Sequence, residues 1–475
     1  MTSRKLDKSL LGANRSSGKD ALLCIDFGTA MSKAAATDGS GYRPILLPLG
    51  QIAKDRRTEN KFAAQSSLFV DKQGVVHFGH EAVSRWARQR GHDIARLDSM
   101  KGWLSTGPLV ELDREPVDDR FLPAGCALTK GEALTLMLAY VTDLACWGLT
   151  SARLSRHAKR RFTRPVWTGD RQHWCDAHMA RYLGQAQLVA DSLSGRWEGG
   201  IVLEEARELL DLARAEKIPD WFVEPRGVPE PIAAGHCRVE RDYEHRYLAL
   251  VIDVGAGTTD LAVFAGTQGY NSVGLTIATP LGETKSILMA GDFLDKVLRE
   301  EIWDNLPASK RNDEIRLQAE GYARDWKEQL FEHGSVQPTF AGGVVASAIR
   351  RDDFLALPGV KLFTKSINDA VDGIFQSVSG LADQMAAAQS HPLTEITILA
   401  SGGGAGLPMI KSLAKRRLGK HGLRMRDAGP APEWFVSYHR DEVPVFHQMA
   451  VAIGGAFPKL PGPPSLRKSP KRNSL

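Results

Sequence analysis

The chain has no uninterrupted apolar run approaching the roughly 18 residues that a membrane-spanning helix needs. Its most apolar stretch, Leu248 to Phe264, is broken by Asp253, Asp260 and two glycines. A membrane span is therefore not expected. The basic start MTSRKLDKSLLGANRSSGKD is followed by no apolar core of a secretory signal, so export is not expected either. Cysteine is sparse: Cys24, Cys126, Cys146, Cys175 and Cys237 form an odd set with no Cys-x-x-Cys pair. That excludes a disulfide-stapled scaffold and suits reduced thiols in the cytoplasm. His173, Cys175 and His178 have no second cluster of ligands near them in sequence and fall short of a transition-metal site. The absence of Gly-x-x-x-x-Gly-Lys-Ser/Thr argues against a P-loop nucleotide site.

What is present is the composition of an ordinary globular protein, 43% apolar and 25% charged over 475 residues. At about 150 residues per domain, this is roughly three domain-sized units. The net charge of +5 is unevenly spread: residues 1 to 20 carry +3, residues 459 to 475 carry +5, and the body between carries −3. Residues 1–20 and 459–475 read as disordered basic tails, the second rich in proline. Contact with nucleic acid or an anionic surface falls to these tails only, as a side possibility, and no interleaved aromatics suggest base stacking. Lys159-Arg160-Arg161 and Lys415-Arg416-Arg417 read as solvated helix ends or faces. Tryptophans such as Trp86, Trp147 and Trp326 read as core and helix anchors.

Two distant segments share a layout. ALLCIDFGTAMSKAAATD (21–38) and RYLALVIDVGAGTTDLAVFAG (246–266) each run as an apolar strand ending in Asp, a glycine turn and a second apolar strand. A third, EITILASGGGAGLPMIKSLAKRRL (395–418), is a strand, a glycine cluster and a helical pattern in which Leu407, Ile410, Leu413, Ala414 and Leu418 share a face. Further helices are predicted at 129–148, where Thr129 and Glu132 fit a capping box, and at 202–215, 291–303 and 313–331. Strands alternating with helices predict an α/β fold. Two similar halves can bring both glycine turns to one ligand only across a cleft, so the interface between them is the candidate site.

The chemistry of the turns points to phosphate. Gly28, Gly255 and Gly257 let the backbone approach an anion closely, and Thr29, Thr258 and Thr259 add hydroxyl donors. Asp26 and Asp253 beside a phosphate would each cost about 3 kcal/mol per pair of like charges at 5 Å. A hydrated Mg²⁺ held by the two carboxylates reverses that sign.

These residues resemble a known superfamily. IDFGT, DVGAGTTD and ILASGGGAGLP are similar, in this order, to the two phosphate loops and the adenosine loop of the actin-like ATPases. Within that superfamily the likeness is to the nucleotide-binding domain of DnaK-type heat shock protein 70 chaperones, through SSLFVDKQGVVHFGHEAV (66–83), VPEPIAAGH (228–236), AGDFLDKVL (290–298) and MAVAIGGAF (449–457). The resemblance implies a two-lobed actin-like fold, a duplicated ribonuclease H-like unit with a nucleotide cleft between lobes. Lobe I would comprise 21–245 with 441–458, and lobe II 246–440. It implies ATP and Mg²⁺ as cofactors, with Asp26 and Asp253 at the metal and Gly28, Thr29, Ala30, Gly255, Gly257 and Thr258 around the β- and γ-phosphates. Gly402, Gly403, Gly404 and Gly406 would border the adenosine, and Lys327 could reach a ribose. Asp260 and Glu230 would orient the attacking water, with Lys101 stabilising the transferring phosphoryl.

The sequence departs from that family at several positions. Ala30 replaces a hydroxyl residue, and Glu328 and Gly406 replace the two arginines that sandwich adenine, so the base clamp is expected to be altered. A peptide-binding domain after the nucleotide-binding part is not expected from these residues. The implied function is a slow ATPase of the heat-shock-70 type, serving as an ATP/ADP-dependent switch for a protein partner. Alternatives are a filament-forming actin relative, a small-molecule kinase of the same superfamily, or an inactive ATP-binding scaffold.

Overall fold

The computed structural model describes residues 5–13, 21–39, 44–54, 60–89, 93–238, 247–266, 278–280, 284–388 and 392–460. The fold is mixed α/β, and its two large sheets grow from the two glycine-turn segments. In the first, β1 (Leu22–Asp26) and β2 (Met31–Thr37) pair antiparallel, with Asp26 opposite Lys33. β3 (Ile45–Leu47) and β4 (Ala64–Gln65) join β2, while β5 (Lys159–Arg164) runs parallel to β1 and β6 (Val228–Pro229) parallel to β5. The order is β3-β2-β1-β5-β6. Covered on both faces, β1 has no exposed position, which is why it reads as a continuous apolar run.

The second sheet repeats the plan. β7 (Tyr247–Val254) and β8 (Thr259–Gly266) pair antiparallel with Asp253 opposite Asp260. β9 (Ala278–Pro280) and β10 (Lys285–Ile287) join β8. On the far side β11 (Glu395–Ser401) runs parallel to β7, and β13 (Leu423–Asp427) runs parallel to β11, with β12 (Arg417–Leu418) at the edge. Each sheet therefore centres on a hairpin whose first strand also takes a parallel neighbour.

Helices cover the sheets. α1 (Gly79–Ala87) is followed by α2 (Lys130–Ser151), which opens on the expected capping box: Glu132 N donates to Thr129 Oγ1 at 3.2 Å and Thr129 N to Glu132 Oε2 at 2.8 Å. By length and composition α2 could cross a membrane, against the expectation from the sequence, but 89% of its most apolar window is buried inside the protein. α3 (Gly169–Leu193) and α4 (Leu203–Arg214) complete that layer. α5 (Glu230–Arg238) and, near the end of the chain, Phe446–Gly455 pack between the two sheets, in a core shared by Cys24 and Ala35 of the first sheet and Val251, Phe264 and Leu399 of the second. Gly454 allows the close crossing of these helices, since a Cβ there would lie 1.7 Å from the Ala233 carbonyl oxygen.

In the second half α6 (Gly291–Asp304), α7 (Asp313–His333), α8 (Arg351–Ala356) and α9 (Pro358–Ser377) lead to the short α10 (Pro408–Ser412); Phe446–Gly455 is α11. α7 also reaches the first half: a Cβ on Gly321 would lie 1.9 Å from the Trp86 ring of α1, and Arg96 Nη2 donates to the Gly321 carbonyl at 3.2 Å. Gly321→Ala should therefore cost about 1–3 kcal/mol by overpacking. Urea unfolding checks this, and an unchanged midpoint would show that the indole seat is slack.

Several expectations are corrected. The helical pattern of 395–418 stops at Ser412, with a 3₁₀ turn over Leu413–Lys415. Leu418 instead pairs with Leu423 in a hairpin whose connecting Gly419 and Gly422 have φ of +70° and +60°. Lys159-Arg160-Arg161 is a strand, not a solvated helix face, and Arg160 is 1% and Arg161 5% exposed. Lys415, at the end of the 3₁₀ turn, and Arg417 are exposed as expected, but Arg417 lies in β12, and Arg416 is half-buried and tied to Asp372 at 2.6 Å and Asn368 at 2.9 Å. The N-terminal segment is not free over 5–13, because Leu6 and Leu10 are buried in the core and Asp7 N donates to Ser192 Oγ at 2.9 Å. Two leucines four residues apart outweigh the polar residues between them. Of the C-terminal tail, 461–475 lies outside the described residues. Trp86, Trp167 and Trp326 are buried as expected, whereas Trp147 is 47% exposed.

Candidate functional site

The turn between β1 and β2 is narrow because a Cβ on Gly28 would lie 2.1 Å from the Met31 carbonyl oxygen. The turn between β7 and β8 closes through Gly255 N to Thr258 O at 3.0 Å. The two turns meet: a Cβ on Gly257 would lie 3.0 Å from Thr29 Oγ1. The third glycine segment, after β11, folds onto the second, with Gly404 N donating to Val254 O at 3.0 Å and a Cβ on Gly402 only 2.3 Å from that oxygen. The start of α6 is fastened to the same turn by Gly291 N to Gly255 O at 3.0 Å and Asp292 N to Ala256 O at 2.8 Å. All three glycine segments thus border one cleft of about 810 Å³.

Every candidate site residue except Thr259 and Asp260 lines this cleft: Asp26, Gly28, Thr29 and Ala30 from the first turn, Asp253, Gly255, Gly257 and Thr258 from the second, Gly402, Gly403, Gly404 and Gly406 from the third, and Lys101, Glu230 and Lys327 from elsewhere. Thr259 is buried and donates its hydroxyl to the Met289 carbonyl at 2.7 Å, so it is no phosphate donor. Asp260 is fully buried one hydrogen bond behind the cleft wall. It accepts from Thr258 Oγ1 at 2.7 Å and from Val166 N at 3.0 Å. Glu224, the carboxylate near Glu230 in sequence, is elsewhere, bound to Arg161 at 2.6 Å and Lys159 at 2.9 Å.

The polar side chains are held from behind. Thr163 Oγ1 donates to Asp26 at 2.9 Å and Lys33 Nζ to the other oxygen at 3.3 Å. Ser401 Oγ donates to Asp253. Lys101 donates to Glu230, and both are buried. Lys327 pairs with Asp295 at 2.7 Å and donates to the Gly291 carbonyl at 3.0 Å.

Burial, joined by the like charges of Asp26, Asp260 and Asp253, pushes the Glu230 carboxyl up to about 8 against the pull of Lys101. Burial likewise pushes Asp253 up to about 6, with Asp260 and Asp26 adding to it and the Ser401 hydroxyl opposing. Asp260 is raised by burial, opposed by its hydrogen bonds to Ser286, Thr258 and Val166. Burial works against the Lys101 ammonium, yet the surrounding carboxylates, Glu230 first, hold its pKa above the ordinary lysine value.

The result is a crowding of carboxyl groups: Asp26, Asp253 and Glu230 line this end of the cleft with Asp260 behind them, against the ammonium groups of Lys33 and Lys101. A cation would relieve it. Among the described residues no group of three or more His, Cys, Asp or Glu is gathered as a ligand cage. A cation here would have few protein ligands and keep its waters, the habit of Mg²⁺. Of the possible ligands at 173–178, His178 hydrogen-bonds Trp174 O and Glu111, and Cys175 the Leu104 carbonyl.

Lys33, Arg324, Phe331 and Gln448 also line the cleft and were not singled out in the sequence. Arg324, Lys327, Glu328 and Phe331 were legible in principle, since their spacing puts them on one face of α7. Gln448 had no signal, because only the return of α11 between the sheets brings it to the cleft. A bulky side chain at Gly257 would have to push Thr29 aside. Gly257→Val, a change in a half-buried turn that contacts only the Thr29 side chain, should lower thermal stability by a few degrees while removing binding of a magnesium–triphosphate ligand, measured by calorimetry. No protein-family model matches this chain, and no curated protein matches it.

Proposed function

We propose that the chain is an ATPase of the actin-like, heat-shock-70 type, with two ribonuclease H-like lobes closing on a magnesium-bound nucleoside triphosphate that it hydrolyses slowly. The observation that carries this reading is the meeting of three glycine turns, remote in sequence, around one cleft that also collects Asp26, Asp253, Glu230 and Lys101. The duplicated hairpin-plus-parallel-strand plan of the two sheets supports the fold assignment.

In this reading backbone N–H groups of the first two turns and the hydroxyl of Thr29 hold phosphate oxygens. Asp26 and Asp253 would hold a hydrated Mg²⁺, which when bound offsets the charge of the triphosphate. Glu230 accepts a hydrogen bond from the attacking water and aligns it with the γ-phosphorus. Lys101, kept protonated by the carboxylates around it, supplies positive charge beside the phosphoryl group as it leaves. Asp260 acts through Thr258, fixing the hydroxyl that it accepts from. It is a positioning residue in this scheme, not a group that touches the water. A ligand held by turns from both halves binds the closed form better and so favours closure, which is what a nucleotide-dependent switch for a protein partner requires.

The test is phosphate release from ATP by the full chain, with and without Mg²⁺. Slow, magnesium-dependent turnover abolished by EDTA is expected. No nucleotide-dependent heat in calorimetry and no phosphate release at any magnesium concentration would overturn the reading.

A further inference from the structure

The far end of the cleft is built unlike its phosphate end. Beyond Lys327 the cleft-facing side of α7 continues with Glu328, Phe331 and Glu332. One helical turn, about 6 Å, therefore separates the lysine beside Gly291 from an aromatic ring. Phe331 is half-buried, and the fully buried Phe354 meets its ring edge-on at 6.0 Å, which fixes its orientation. Leu355 and Leu407 supply further apolar wall. Arg351 Nη1 donates to the Phe331 carbonyl at 3.4 Å and lines the same end. Glu328 borders the cleft and makes no hydrogen bond among the described residues. A Cβ on Gly406 would meet no atom within 4 Å, so that side of the cleft is open.

Resting on the magnesium–triphosphate site of the reading above and departing from it in the base, we infer that this end is the base site, that the base stacks on Phe331, and that Glu328 selects guanine over adenine. Burial raises the Glu328 carboxyl against the pull of Lys327 and Arg324, and in its ionised form it only accepts hydrogen bonds. Guanine offers it two adjacent donors, N1–H and the N2 amino group, whereas adenine presents a lone pair at N1. The O6 and N7 acceptors of guanine suit the Arg351 guanidinium. Stacking on a fixed ring adds affinity for any base, and the carboxylate then discriminates through charge-assisted hydrogen bonds that only one purine can make.

The test is calorimetric titration of the full chain with the magnesium salts of GTP, ATP and inorganic tripolyphosphate, repeated on Phe331→Ala and Glu328→Gln, with matched thermal melts to establish that both variants are folded. GTP should bind about tenfold or more tightly than ATP. Phe331→Ala should weaken both nucleotides about tenfold and leave tripolyphosphate within about twofold. Glu328→Gln should close the gap between GTP and ATP. GTP binding no tighter than ATP, or an unaltered Phe331→Ala variant, overturns the inference. Tripolyphosphate binding with no gain from either nucleoside also overturns it while leaving the phosphate site standing. If none of the three ligands binds, the nucleotide reading itself fails and this inference with it.

Discussion

Glu230→Gln is expected to lower nucleoside triphosphate turnover by about 10²- to 10³-fold while changing nucleotide affinity by no more than a few-fold. The reason is that Glu230 is buried in the cleft beside Lys101, with no phosphate-binding glycine turn of its own. The amide of Gln still offers an oxygen to the Lys101 ammonium, so the buried cation keeps an acceptor and the fold should survive. What is lost is a carboxylate able to hold and deprotonate a water. The pH profile carries a second signature. Because burial and the neighbouring aspartates push Glu230 up to about 8, its charged form gains population as pH rises through that value. The natural chain should therefore show kcat/KM rising with pH toward about 8, and Glu230→Gln should flatten this limb. A variant with natural turnover, or a profile with the same rising limb, would remove Glu230 from the chemistry.

The largest expected loss of stability is in Arg161→Met. The guanidinium of Arg161 is buried where β5 meets the end of α11, and it donates to Glu224 at 2.6 and 3.1 Å and to the carbonyls of Gly455 and Phe457 at 2.8 and 2.7 Å. Methionine fills similar volume but leaves Glu224 with Lys159 alone and two inward-facing carbonyls without a donor. Breaking one side of such a buried pair costs about 3–5 kcal/mol, which urea unfolding would measure. Burial opposes the Glu224 carboxylate, but its hydrogen bonds to Arg161 and Lys159 win and hold its pKa below the ordinary value. A lowered carboxyl pKa stabilises the fold above the unfolded-state value of about 4.3 and is lost as pH falls through the folded value. The natural chain should therefore lose stability on acidification below about pH 4, and the variant should lose less over the same interval. A cost under about 1 kcal/mol would show that the pair is replaceable by packing.

The contrast between Arg161 and the glycine turns marks how far the sequence could be read. The turns were legible because their signal is local: an apolar run, an aspartate and a glycine within a few residues define a strand end whatever surrounds it. The same holds for the capping box of α2, where Thr129 and Glu132 are three residues apart. Charge near charge in sequence carried no such information. Lys159-Arg160-Arg161 looks like a solvated face, yet strand alternation and two parallel neighbours turn Arg160 and Arg161 inward, each toward acceptors brought from elsewhere in the chain.

By itself the sequence determined the two hairpins, the glycine segment after β11, the four helices that begin near 130, 203, 291 and 313, and the residue types available for phosphate chemistry. Only the tertiary structure decided that the three turns share a cleft, that Asp260 stands behind Thr258, and that α7 lends Phe331 and Glu328 to its far end. The physical reason is range. Backbone turns and caps are set by interactions within one or two turns of chain, whereas convergence depends on two sheets packing around α5 and α11, a contact that no short window of residues contains.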